Sequence, residues 1–236
     1  ETSDHVVYMH ACPNQQLLPL FSHVVPRFGA NGFLLGSNYI WGWEMNRVAR
    51  DLIADAGGEV RGERYLPLGE TEVARLIEEI RATRPDFVFN NLIGLSSYAF
   101  LKAYAELGRQ DAHFLPHHCP VVSCNLTECG GTGYSPGSSF EAAAYASVRI
   151  LAEILGQNPD AGWADLPAAF AARRFETPFG ATAIDTRTQH ATLPVVIGEI
   201  EGAGFRIIGR EGEVAPDPYL SRYDRNAQFG TPRLRV

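Results

Sequence analysis

Apolar positions along this chain fall into two rhythms that alternate. Residues 32–36 form a short apolar run closed by glycine, Gly32-Phe33-Leu34-Leu35-Gly36, the pattern of a strand buried on both faces. Residues 44–56 then place Met45, Val48, Leu52 and Ile53 on one helical face, and Gly57-Gly58 ends the helix. The pair recurs. Residues 63–68 read as a second strand, and residues 70–83 as its helix, with Val73, Leu76, Ile77 and Ile80 on one stripe. Residues 86–89 read as a third strand, 96–107 as another helix, and 120–123 as a fourth strand. Strands that alternate with amphipathic helices predict an α/β fold, a parallel sheet with helices on both faces and right-handed crossovers.

Past residue 130 the rhythm changes. GGTGYSPGSS reads as a linker, followed by an alanine-rich helix over 140–155 and a short helix over 166–173. Residues 195–201 and 205–208, joined by Gly202-Ala203-Gly204, predict a hairpin. The polar tail DPYLSRYDRNAQFGTPRLRV reads as a surface segment, and no internal repeat is visible.

In an open parallel sheet, ligands sit beyond the carboxyl ends of the strands, where loops and helix N-termini converge. Three polar loops are predicted there: Ser37 to Trp43, Asn90 to Gly94, and Cys124 to Glu128. They offer hydroxyls, amides and rings with few fixed charges, a set suited to a small neutral polar ligand. The candidate binding residues are Asn38, Tyr39, Trp41, Asn91, Leu92 and Thr127, with Trp43 beside them. Each has a second reading. Tyr39 could pack at a strand end, Asn38 could cap a helix beginning near Trp43, and Asn91 could serve a turn. Glu141 and Tyr145, on the alanine-rich helix, read as structural.

Composition narrows the partners. The chain has 236 residues, of which 45% are hydrophobic, enough to bury a sizeable core. A net charge of -7 without a basic run excludes an electrostatic footprint for nucleic acid. No window reaches the length of a membrane-spanning apolar run, and ETSDHVVYMH has no signal-peptide pattern. Four cysteines, Cys12, Cys119, Cys124 and Cys129, leave the redox compartment open. His117-His118-Cys119 with Cys124 and Cys129 invites a metal, yet the spacing fits no standard zinc pattern, and no metal or cofactor is expected. No GxSxG elbow, no GxxxxGK[ST] loop and no GxGxxG after a strand is read in the chain. The expectation is a protein that is not an enzyme, with a cysteine- or metal-dependent enzyme as the remote alternative.

The order GSNYIWGWE, GGEVRGERYLPLG, RPDFVFNNLIG resembles the second lobe of the type I periplasmic binding protein fold, most of all its amide and urea branch. That branch holds the amide sensor of amidase operons and the substrate-binding subunits of urea and short-chain amide ABC importers. VVYMHACPNQQLLPLFSHVVPRFG is similar to the passage between lobes, and VAPDPY to a late segment. The resemblance implies two lobes of parallel sheet flanked by helices, with the first lobe largely absent from this chain. Residues 1–30 would be its remnant, 31–130 the βα units of the second lobe, 131–175 helices returning to the first, and 176–236 the β-rich completion of the second. The stretch 129–139 is shorter than the family's pattern. Tyr39 matches the tyrosine with which family members contact the amide. The implied function is non-catalytic binding of an amide-like or urea-like molecule in a cleft closed by a hinge; a branched-chain amino-acid binder is the alternative within the fold. The partner would be an ABC permease for a periplasmic transport subunit, or an antitermination regulator for a cytoplasmic sensor, and a homo-oligomer stays open.

Overall fold

The computed structural model describes residues 3, 5–125, 139–157, 159–160, 162–171, 173–178, 180–201 and 204–223. The chain divides into two compact units. One comprises residues 1–19 and 126–222, the other residues 20–125 and 223–236.

The unit built on residues 20–125 carries the parallel sheet. Its strands are β1 (Gly32–Ser37), β2 (Val60–Leu66), β3 (Phe87–Asn91) and β4 (Val121–Val122), in the spatial order β2-β1-β3-β4 and all parallel. The helices are α2 (Ile40–Asp55), α3 (Ala74–Thr83) and α4 (Leu95–Gln110), with the later turns of α1 (Pro13–Phe28). β1 and β3 are buried along their whole length because apolar side chains leave both faces. Phe33, Leu35 and Val88 point into the core under α3 and α4, with Leu76, Ile80, Phe100 and Leu107. On the opposite face Phe21 of α1 packs edge-on against Phe87 and Phe89, ring centroids 5.6 and 5.5 Å apart. β1 is the central seam: Gly36 pairs with Tyr65 on one side and Asn91 on the other.

The predicted βα order stands, with shifted boundaries. α2 begins at Ile40, four residues before the expected start, so Trp41 and Trp43 lie in its first turns. Its N-cap is Tyr39, which makes no side-chain cap bond; Asn38 is therefore not the cap. α3 begins at Ala74 and not at residue 70, because the Glu70 carboxylate takes the N–H groups of Thr71 and Glu72 and holds a turn there. β3 continues through Asn90 and Asn91, which are strand residues and not loop residues.

In the other unit, α5 (Ser139–Gln157) and α6 (Leu166–Ala171) accompany two antiparallel ribbons, β5 (Phe175–Thr177) with β6 (Gly180–Thr182) and β7 (Leu193–Glu201) with β8 (Gly204–Val214). Its core joins Met9, Ala146, Ile150, Ile154, Phe175 and Leu193. The predicted hairpin is present and longer than its apolar pattern, with bulges after Pro194 and Ile197. Gln15 at the start of α1 ties three segments: its amide donates to Ala191 O (3.0 Å) and Val214 O (2.8 Å) and accepts from Cys12 N–H (2.8 Å).

Candidate functional site at the carboxyl edge of the parallel sheet

The carboxyl ends of β1, β2 and β3 meet where α2 and α4 begin. Close approach makes this possible. A Cβ on Gly42 would stand 2.6 Å from Ser37 O, and one on Gly36 would stand 2.9 Å from the Tyr65 ring and 3.2 Å from Gly42 Cα. Glycine at both positions lets α2 lie directly on the end of β1. α4 opens on Gly94, whose φ of 59° suits the residue without a side chain.

Beneath the edge lies a buried layer of amides and hydroxyls. Ser37 Oγ accepts the Ile93 N–H (3.0 Å), linking the ends of β1 and β3. Asn90 donates from Nδ2 to Ser97 Oγ (3.0 Å) and accepts the Leu92 N–H (3.0 Å), fixing the turn into α4. Asn91 donates from Nδ2 to Asn46 Oδ1 (2.9 Å). Asn125 Nδ2 donates to Leu92 O (3.2 Å), fastening the end of β4 to the same corner. These bonds explain how two asparagines end a buried strand against their propensity.

Above that layer the edge is apolar and aromatic. Tyr39, Trp43, Leu68, Ile93, Leu95 and Tyr98 are all exposed. The segments that form the edge, residues 37–44, 66–72, 92–98 and 123–125, contain no lysine, arginine or histidine, and their charges are Glu44, Glu70 and Glu72.

The expected site residues thus fall into three groups. Asn38, Tyr39 and Trp41 sit at the rim, Asn38 and Tyr39 exposed and Trp41 half-buried. Asn91 and Leu92 lie in the buried layer. Thr127 is outside the described residues, as is Cys129. Asn46 was not singled out by the sequence. A lone asparagine beside the apolar stripe of α2 reads as solvent-facing, yet it is fully buried against Asn91.

Burial pushes the Cys119 and Cys12 thiols up to about 11, the reverse of an activated thiolate. Cys119 is buried while His117 and His118 are exposed, their rings 4.3 Å apart. No group of three histidine, cysteine or acidic side chains gathers among the described residues. Gly133-Tyr134-Ser135-Pro136-Gly137 does spell G-x-S-x-G, outside the described residues.

A parallel α/β lobe whose ring-lined carboxyl edge carries only glutamate charges suits the binding of a small solute. The comparison with known families agrees: a model described as periplasmic binding protein domain matches residues 1–134 and 132–225, and the chain belongs to that family. Solved structures share the fold. The solute-binding protein of an ABC transporter from R. palustris, in complex with 4-hydroxybenzoate, aligns with a TM-score of 0.71 and 19% identity over 92% of this chain and 69% of its own. A second from R. palustris, in complex with benzoate, gives 0.75 and 16% over 98% and 69%. A branched-chain amino-acid ABC transporter ligand-binding protein from Burkholderia xenovorans gives 0.68 and 11% over 98% and 68%.

Proposed function

We propose that this chain captures a small planar solute of amide or urea type on the carboxyl edge of its parallel sheet, for delivery to an ABC permease. The observation that carries this reading is the rim itself, where exposed rings and branched side chains surround helix N-termini without one basic residue. Rings take up the planar faces of a solute, and backbone N–H groups of the first turns take up its carbonyl oxygen. A rim whose only charges are glutamates favours a neutral molecule over an anion. Tyr39, at the entrance to α2, is the ring we assign to the solute. The family supports binding without catalysis.

A second reading has its own support. Two structural relatives are complexes with 4-hydroxybenzoate and benzoate, so an aromatic carboxylate would suit the rings if backbone N–H groups alone held its charge. Calorimetry on the whole chain decides, with acetamide, propionamide, urea, benzamide, benzoate and leucine in turn. Amides or urea binding ahead of their carboxylate counterparts is the expected result. Benzoate or leucine binding while every amide fails would overturn it.

A further inference from the structure

The ribbon of β7 and β8 carries an apolar face open to solvent. Side chains two residues apart on a strand share a face, and residues directly paired across strands share it too. The extra residues of both bulges, Ile208 and Gly212, belong to β8, so β7 alternates without a break and Val196, Gly198 and Ile200 lie on one face. Their partners Arg210, Ile207 and Phe205 lie there with them. Val196, Ile200, Phe205 and Ile207 are each between 37% and 61% exposed. Gly198 leaves no hole among them, since a Cβ there would stand 3.2 Å from the Phe205 ring. The opposite face is already occupied: Leu193 and Val195 are buried at its root, and Arg206 pairs with Glu199 and Glu201 toward the tip.

Residues 198–201 and 204–207 are all exposed, and a two-stranded ribbon without cover is marginal in water. The open area sets the scale of the cover it needs. Four side chains of about 200 Å² each, half exposed, present about 400 Å² of apolar surface, within the range of the largest patch on a monomer. Two such faces laid together bury about 800 Å². With apolar atoms supplying about 65% of a homodimer interface, the whole comes to about 1,200 Å², the lower bound for a specific contact.

The rows are also self-complementary. A two-fold axis along the row Gly198–Ile207 lays the tip row of one copy, Ile200 and Phe205, over the row Val196–Arg210 of the other. Arg210, which makes no ion pair among the described residues, then comes over the Phe205 ring of the other copy, and the two Arg210 side chains stand at opposite ends of the contact. Glu213, at the root of the same face, is paired with Arg174 within its own chain. We propose that this face is the contact between two copies of the chain, joined about that axis as a homodimer.

An interface at the lower bound of area predicts a monomer–dimer equilibrium with a dissociation constant of about 1–100 µM, which sedimentation velocity on the whole chain should show. Ile200→Lys and Phe205→Glu each put a charge into the contact and should weaken association by about tenfold or more, while both melt with wild type at dilutions where all are monomeric. Glu201→Gln, on the opposite face, should associate as wild type does. A wild type that stays monomeric across that range, or a dimer that survives both charged variants, would overturn the proposal. So would a monomer whose charged variants melt far below it, which assigns the cover to a segment of the same chain. A monomeric wild type that binds phosphatidylcholine vesicles, with binding lost in both charged variants, would overturn it too and assign the face to a lipid surface.

Discussion

Replacing Tyr39 by alanine separates a binding role from a packing role, because the residue stands where the two make opposite predictions. Its side chain is 49% exposed and makes no cap bond to α2. A buried tyrosine covers about 150–250 Å², so the half of Tyr39 still open to solvent amounts to about 100 Å². Covering that area with a solute contributes about 2.5 kcal/mol at 25 cal/mol per Å², equivalent to about a 60-fold change in affinity. The cost to the fold is smaller, because the part already buried lies at the end of β1 and the helix loses no hydrogen bond. Tyr39→Ala should therefore weaken the tightest solute of the panel by one to two orders of magnitude in calorimetry, while the melting temperature falls by no more than about 4 °C. A variant that melts far below wild type yet binds with unchanged affinity would refute the reasoning and return Tyr39 to the packing of the strand end.

Other perturbations test the frame around the site. Gly42→Ala places a Cβ against the Ser37 carbonyl, and should lower stability by about 1–3 kcal/mol, seen as a lower urea midpoint with an unchanged slope. His190 stacks on Tyr8, ring centroids 4.3 Å apart, and burial holds its imidazole below the ordinary 6.5 despite its hydrogen bond to Thr188 O and the charge of Asp185. The neutral ring is the folded form, so this contribution is complete above 6.5 and is lost as pH falls through the folded value; melting should drop from pH 7.5 to 5.5, and His190→Phe should flatten that dependence. Cys12 and Cys119, buried and pushed up to about 11, should resist alkylation at pH 8 until urea unfolds the chain, and rapid native labelling of either, located by mass spectrometry, would contradict their burial.

Period and punctuation made the βα units legible, since β1 and β3 are apolar enough to be buried on both faces and α2 carries its stripe from Met45 to Ile53. The rim was less legible. Tyr39 gives no capping signal and Gly42 argues against a helix, so the first turn of α2 read as loop; tertiary contact between Gly42 and Ser37 is what admits helix there. Asn90 and Asn91 read as loop because asparagine disfavours strands, and the bonds that reverse this come from Ser97 on α4 and Asn46 on α2. Asn46 itself could not be found from periodicity, because a buried polar residue is defined by a partner distant in sequence.

The two units differ in how their contacts are spread along the chain, which bears on the order in which they form. The parallel sheet and its helices lie within the continuous stretch 20–125, each strand meeting its neighbours within a few tens of residues. The other unit joins residues 1–19 to residues 126–222, and the bond from Gln15 to Val214 closes a separation of 199 residues. Closing a loop of that length is slow relative to pairing near neighbours. During synthesis the four described strands of the sheet that bears the rim have all emerged once Val122 has, whereas the Gln15 clasp must wait for β8. The edge proposed to take the solute therefore belongs to the early-folding part of the molecule, and substitutions in β8 should alter the yield of finished protein before they alter the shape of that edge.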